Sequence, residues 1–297
     1  MLPLESVPNV SEGRDADAIE AIGSAFAGSA RLLDVHSDPD HNRSVYTLVG
    51  TGGDDALVES LLAGIRAACE RVDLRRHEGV HPRVGAADVV PLVPLRPRHM
   101  PRAVEAARSL GRRVAEELAL PVFLYGEAGE GRRPAFFRRG GPRELQRRVD
   151  SGELRPDFGP PRLDPAAGAV LVGARAPLIA FNVLLETTDV GIARAVAAAV
   201  RESSGGLPGV QAIGLELVSS RRAQVSMNLV DLERAALHEV VARVAAEAAS
   251  RGVSVAGCEL VGLLPAQAVV AAAAAAGTLG LPSLDASRVL ELRLLEE

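Results

Sequence analysis

A chain of 297 residues, 47% of them hydrophobic, has enough apolar material to bury two cores or one large one, and is not disordered overall. With 33 basic and 38 acidic residues the net charge is −5, which excludes a general nucleic-acid binder. Aromatic residues make up only 3%, with no tryptophan, which excludes stacking on single-stranded bases.

The two cysteines, Cys69 and Cys258, stand in apolar stretches without a pairing pattern. They are expected as reduced core residues of a cytoplasmic protein. Met1 to Glu5 lacks the basic and apolar regions of a signal peptide. The alanine-rich run 269–276, between Pro265 and Gly277, is too short to span a bilayer and is expected as a packed C-terminal helix.

In chain order, Glu5–Val10 is expected as a first strand, followed by a turn through Gly13. Asp15–Phe26 has helical spacing, with Ile19, Ile22 and Phe26 on one face. Ala30–His36 and Arg43–Gly50 are strand-like, separated by the turn formers 37–42. Asp54 or Asp55 is placed to cap a helix reaching Val72, with Leu57, Leu61, Leu62 and Ile65 inward. Ala87–Leu95 is apolar and β-branched, hence a buried strand. This gives the order β-α-β-β-α-β.

Met100–Leu118 is a further amphipathic helix and Pro121–Tyr125 a further strand. The arginine-rich stretch 132–148 is expected as a solvated, partly helical surface. Residues 150–168, dense in proline and glycine, are expected as a rigid loop or interdomain linker. The first pattern then returns. Leu178–Leu185 is a strand, and Asp189–Arg201 a helix capped by Thr188 or Asp189. Val210–Val218 and Ala223–Val230 form a hairpin, Leu232–Arg251 a long helix and Val253–Leu260 a last strand. Both halves therefore have the ferredoxin-like order. The expected fold class is α/β (α+β), in two subdomains at residues 1–176 and 177–297 with a ligand cleft between their sheets.

The stretch between the second helix and Ala87 concentrates the chemistry. His77-Glu78-Gly79-Val80-His81 fits the H-E-x-x-H zinc pattern as a string. That pattern needs a helix, on which residues four apart share a face. Pro82 drives His81 out of the α region and Gly79 weakens a helix further. No metal is therefore expected. An ordered loop presenting an acid–base histidine, His81, beside Arg83 is the better reading. Asp38, His41, Asn42 and Arg43 form a second polar group, in which Asp38 either serves chemistry or starts an Asx-turn. A third group, Asp157-Phe158-Gly159-Pro160, either walls a planar ligand or is only a linker. There is no Gly-rich phosphate loop and no Gly-x-Ser-x-Gly motif.

Several motifs occur together in order: Val7-Pro8-Asn9-Val10-Ser11-Glu12-Gly13, Asn42-Arg43-Ser44-Val45-Tyr46, His77-x-Gly-x-His81-Pro-Arg-x-Gly-Ala-x-Asp88, Val122-Phe123-Leu124-Tyr125-Gly126-Glu127-Ala128, Pro156-Asp157-Phe158-Gly159-Pro160, and Gly173-Ala174-Arg175 through Asn182. As a set they resemble the formiminotransferase domain family, from about Glu5 to Leu264. The resemblance implies transfer of a formimino group between L-glutamate and N5 of tetrahydrofolate, without the cyclodeaminase activity of longer relatives. It places the acid–base histidine at His81 and a folate-contacting loop at Gly159–Gly168, where Gly159, Pro160, Pro165 and Gly168 match. It also implies a homodimer, small-molecule substrates (folate and L-glutamate), no metal, and no nucleic acid or membrane partner.

On this reading Asp38 or Glu127 orients His81 or steadies a cationic intermediate. Arg43 or Arg83 takes a substrate carboxylate through two points. Asp157 is assigned to substrate binding with the loop. The alternatives are a 5-formyltetrahydrofolate-dependent glutamate formyltransferase and a folate-binding protein without catalysis.

Overall fold

A computed structural model describes residues 2–274 and 286–295. The chain divides into two compact units, Met1–Ala176 and Pro177–Glu297. In the first, β1 (Leu4–Ser6) and β2 (Asn9–Val10) are two pieces of one strand broken at Val7-Pro8. α1 (Ala16–Phe26) begins at Asp15, whose carboxylate accepts from the backbone N–H of Asp17 and Ala18. β3 (Arg31–Asp38) and β4 (Arg43–Val49) form a hairpin, followed by α2 (Asp54–Arg71) and β5 (Ala87–Pro94). Asp54 and Asp55 lie in the first turn of α2 rather than at its cap, which is Gly53 at φ 96°. No L side chain adopts that backbone without strain, so the carboxylates serve the helix dipole instead.

Both β1 and β2 pair with β4 on one side and β5 on the other, and β3 lies outside β4. Read along the sheet, this is the antiparallel ferredoxin-like core. The sheet continues past β5. α3 (Met100–Leu118) leads to β6 (Val122–Gly126), then α4 (Pro134–Arg138) and α5 (Gly141–Asp150). β7 (Val170–Ala174) inserts between β5 and β6, parallel to both. Residues 150–168 are thus a loop inside the first unit, not a linker between units, because their backbone is consumed by pairing within that unit. Val122 N–H donates to Phe158 O (2.9 Å) and Ala169 N–H to Val84 O (3.0 Å).

The period-2 alternation of the strands gives the sheet two unlike faces. One buries Leu4, Tyr46, Leu48, Val90, Leu124 and Val172 against the apolar stripes of the first three helices, including Ile22, Phe26, Leu57, Leu61 and Leu110. The other carries Asn9 opposite Val45 and Val89, then Pro91 opposite Gly173, and Tyr125 opposite Gly173. Arg43 and Arg175, two residues from Val45 and Gly173, belong to this second face. Toward β6 it is roofed by Phe137 of α4 and Leu145 and Val149 of α5. At one place the alternation slips. Asn9 pairs with Val89 but Val10 with Ala87, which leaves Asp88 as the extra residue of a β-bulge.

The second unit repeats the core plan. β8 (Ile179–Leu185), α6 (Val190–Val200), β9 (Val210–Leu217), β10 (Arg222–Leu229), α7 (Leu237–Ala249) and β11 (Val255–Val261) form a sheet in the order β11-β8-β10-β9. Asp189 caps α6 as expected, accepting from Gly191 N–H at 2.7 Å. α7 starts five residues later than its apolar pattern suggests. Asp231 accepts from the N–H of Glu233 and Arg234, holding a separate turn there. The expected helix over 269–276 falls partly outside the described residues; its described part belongs to α8 (Ala266–Ala274). The last helix, α9, is Leu290–Arg293. Both cysteines are free.

Candidate active site

Residues 77–81 lie in neither a helix nor a hydrogen-bonded turn, so His77 and His81 do not share a helix face. Among the described residues no group of three His, Cys, Asp or Glu side chains is placed to hold a metal ion. The loop is an ordered structure built on the β3–β4 turn. Val80 N–H donates to Asp40 O (3.1 Å), and the Asn42 amide donates to Glu78 O (2.9 Å) while accepting from Gly13 N–H (2.9 Å). Asn42 stands at φ 48°, a left-handed conformation that asparagine tolerates better than most residues. Gly79 runs so close to this turn that a Cβ there would lie 2.4 Å from His41 O. Gly79 is therefore needed for the approach of two backbones.

Two nitrogens fix the histidine tautomers. A carbonyl oxygen only accepts, so His77 Nε2 carries the proton it gives to Asn42 O (2.9 Å), and His81 Nδ1 carries the proton it gives to Pro82 O (2.9 Å). His81 Nε2 is therefore left with its lone pair as a base. The ring is 5.7 Å from that of His41, centroid to centroid. Burial, then the positive charges of Arg43 and Arg138 and the neighbouring His41, hold the His81 pKa well below its ordinary 6.5; the Pro82 bond opposes them weakly. The residue nonetheless keeps partial exposure to solvent.

The sign of the pH dependence follows. At neutral pH the imidazole is already the free base, and protons compete for it only well below pH 6.5. Turnover that uses His81 as a base should hold steady from pH 8 to pH 6.5, with its acid limb below that. A kcat/KM profile settles this, and an acid limb at or above 6.5 would contradict it.

The cations next to His81 belong to a buried cluster. Arg43, 7% exposed, donates Nη1 to Asp88 Oδ2 (2.9 Å), and Nε and Nη2 to Asn9 Oδ1 (3.0 and 2.7 Å). Arg138, from α4, donates Nη2 to the same Asp88 oxygen (2.5 Å), and Val84 N–H donates to Oδ1 (2.7 Å). Asp88 is fully buried. Burial alone would raise its pKa, but Arg138, Arg43 and the Val84 N–H outweigh it and hold the carboxyl below its ordinary range. Arg43 loses more to burial and to Arg138 than Asp88 returns, and its pKa falls to about 10. The bulge is what turns the Asp88 side chain toward these arginines.

The other expected site residues fall as follows. Asp38 makes the Asx-turn: Oδ1 accepts from the N–H of Asp40 and His41 (2.8 Å each). Its Oδ2 faces His41 Nε2 at 3.9 Å, so His41 stands between Asp38 and His81. Glu127 is exposed beyond β6; its backbone N–H donates to Ala174 O (2.8 Å), and its carboxylate makes no ion pair or hydrogen bond with His81. Arg83 spends its guanidinium on the loop, donating to the carbonyls of Gly79 and His81 (3.0 Å each) and His77 (2.9 Å).

Asp157 Oδ2 accepts from Leu124 N–H (2.7 Å), which ties the 157–168 loop to β6. Gly159 and Gly168 take φ 85° and 74°, and a Cβ on Gly168 would lie 2.1 Å from Val84 O. Pro160 is half-buried and Pro165 exposed on the same loop. The matched loop is thus stitched directly to the residues following His81, through the Gly85–Gly168 bridge.

The arginine-rich stretch is not a solvated surface throughout. Arg138 enters the cluster. Arg148 is fully buried, donating to Glu153 and to Phe136 O (2.8 Å each), with its guanidinium 4.3 Å from the centre of the Phe136 ring. Sequence spacing does not reveal which arginines of such a run turn inward; the apolar Phe136-Phe137 pair between them was the available signal. A cavity of about 450 Å3 lined by Gly50, Asp54, Arg102 and neighbours shares no residue with this site, and its Asp54 and Arg102 are paired to each other.

A neutral imidazole with one nitrogen tethered and the other free, set among fixed guanidiniums, has the chemistry to move a proton on an anionic substrate. Comparison with known proteins is more specific. Residues 3–175 match the formiminotransferase domain, N-terminal subdomain, and residues 180–276 match the formiminotransferase domain. The chain belongs to the formiminotransferase family.

It is 41% identical over 276 residues to a glutamate formimidoyltransferase of Thermoplasma acidophilum, covering 90% of this chain and 89% of that protein. The corresponding protein of Streptococcus pyogenes serotype M1 is 38% identical, with 90% of each chain covered. The formimidoyltransferase-cyclodeaminase of Sus scrofa is 44% identical over 91% of this chain but only 52% of its own length. Among the described residues, no helix is long and apolar enough to cross a membrane.

Proposed function

We propose that this protein is a glutamate formimidoyltransferase, moving a formimino group between L-glutamate and N5 of tetrahydrofolate with His81 as the acid–base group. The observation that carries this reading is the His81 ring itself. Its Nδ1–H is tied to Pro82 O and its Nε2 is a free base, and it lies in the part of the chain that matches the family's N-terminal subdomain. In the reaction an amine attacks the amidine carbon, and a tetrahedral intermediate then expels the other nitrogen. The attacking nitrogen must lose a proton and the leaving nitrogen must gain one. A single imidazole at neutral pH performs both transfers with no net change in its own state.

Asp38 acts through His41, and Arg43 supports the site electrostatically through Asp88 and Asn9. Asp157, Gly159, Pro160, Pro165 and Gly168 form the folate-contacting loop, with tetrahydrofolate as co-substrate. A homodimer in the cytoplasm completes the proposal, and its size is open to sedimentation analysis.

The deciding experiment offers the purified protein L-glutamate with 5-formiminotetrahydrofolate and, separately, with 5-formyltetrahydrofolate, and identifies the products by mass. N-formiminoglutamate is the expected product. N-formylglutamate alone would replace the proposal with formyl transfer. Folate binding without either product would reduce the protein to a carrier.

A further inference from the structure

Two motifs at the β6–β7 end remain unused by the chemistry above: Tyr125 in Val122–Ala128, and Arg175 after Gly173-Ala174. The sheet register puts them on the face that carries Arg43. Tyr125 pairs with Gly173, and its ring lies over that residue, where an added Cβ would come within 2.5 Å of the ring carbons. Arg175 follows two residues on. It is anchored by its backbone N–H to Leu92 O (3.2 Å) and by one side-chain bond to Ala176 O (3.0 Å).

The charge at this place does not balance. Arg43 and Arg138 share the single carboxylate of Asp88, which leaves one positive charge in excess. Arg175 lies close enough to act on the Tyr125 hydroxyl, as does Arg138. Polar hydrogens are also unused: Arg138 Nε–H is buried without an acceptor, and the buried Tyr125 hydroxyl, toward which the Arg175 guanidinium can only donate, has no acceptor for its own hydrogen. Unsatisfied donors and uncompensated cations are each costly in a protein interior, and they persist where a ligand supplies the missing acceptor. Arg138 keeps 14% of its side chain exposed and Arg175 is half-buried, so a small anion reaches the guanidiniums from solvent.

We infer that Arg138, Tyr125 and Arg175 form a subsite for a substrate carboxylate. This rests on the transferase reading, in which both substrates, L-glutamate and the glutamyl tail of the folate, carry one. An oxygen of that carboxylate accepts from Arg138 Nε–H and Tyr125 O–H, and its charge completes the pairing that Asp88 begins. Burial, against the influence of Arg175, raises the Tyr125 pKa to about 12, so the hydroxyl stays protonated and remains a donor across the working pH range. This assignment takes over the role first given to Arg43 and Arg83, whose guanidiniums are already committed to protein acceptors.

The test is calorimetric titration of L-glutamate and of tetrahydrofolate, each into wild type, Tyr125→Phe and Arg138→Lys, alongside steady-state KM values. Lysine keeps the charge facing Asp88 but lacks the Nε–H beside it. Tyr125→Phe removes a hydroxyl whose hydrogen has no acceptor and whose one polar neighbour is the Arg175 guanidinium, and it should melt within a few degrees of wild type, so a binding loss in it is not a folding loss. The expected result is about tenfold or more weaker binding of one substrate in both variants. Weaker glutamate assigns the subsite to the amino acid; weaker folate assigns it to the tail. Unchanged affinity for both in Tyr125→Phe, or no binding of either by wild type, would overturn the subsite. Absence of glutamate product from a wild type that still binds through Tyr125 would instead overturn the transferase reading and leave the subsite standing.

Discussion

Replacing His81 with asparagine or alanine should lower kcat/KM for formimino transfer by about a hundredfold or more, the usual worth of a positioned acid–base group. The two variants separate chemistry from structure. The asparagine amide N–H can take over the bond to Pro82 O, now made by His81 Nδ1–H at 2.9 Å, but it offers no basic lone pair. Alanine loses both. If proton transfer is what His81 contributes, the two variants fall together, and both melt within a few degrees of wild type, because the residue is only partly buried and its ring is tied to its own loop through Pro82 O. If asparagine retained most of the activity, His81 would be a loop tether and not the proton carrier. A stopped assay for the glutamate product, with thermal melts of the same samples, decides it.

Much of this arrangement was legible in the chain, for identifiable reasons. Strong periodicity placed α1, α3 and α6, and for α6 the cap was readable as Thr188 or Asp189, of which Asp189 is the one that caps; Asp15 at the cap of α1 was not singled out. Pro82 after His81 was enough to exclude the helical zinc reading, because it acts on the backbone whatever the tertiary context. Legibility ended where position depends on partners far along the chain. Asp88 lies in a run of apolar residues that reads as a plain buried strand. Its outward turn comes from a bulge set by the register with β2, which no local pattern encodes.

Arg83 and Arg138 show the same limit from opposite sides. Arg83, next to the histidine, reads from the sequence as a ligand binder, and its guanidinium holds three loop carbonyls, a role that no local pattern announces. Arg138, within a polar run, looked like surface and instead reaches a carboxylate 50 residues away. The strand β7 was missed because five residues between a proline-rich loop and Arg175 carry too little alternation to declare themselves, although both of their neighbours are buried strands.

Asp88→Asn should be the most destabilising conservative change in the first unit. The residue is fully buried, and its two oxygens together accept one backbone N–H and two guanidinium N–H groups. Asparagine has the same shape but only one acceptor oxygen, so either orientation of the amide turns its N–H2 toward a donor. The larger loss is the charge. Two guanidiniums, one of them desolvated enough to bring its pKa to about 10, would share the interior with no anion. Removing one partner of a buried ion pair costs about 3–5 kcal/mol. For a unit of this size that corresponds to a fall in Tm of roughly 6–20 °C.

The pH dependence carries the same signature. The folded-state pKa of Asp88 lies below its ordinary 3.8, so its ionisation stabilises the fold above that pH, and the contribution is lost as pH falls through the folded value. Wild type should therefore lose stability in acid more steeply than Asp88→Asn, and the two denaturation curves should converge at low pH. A parallel offset at all pH values would mean that shape rather than charge sets the cost. A variant as stable as wild type at pH 7 would mean that the cluster around His81 does not depend on this carboxylate.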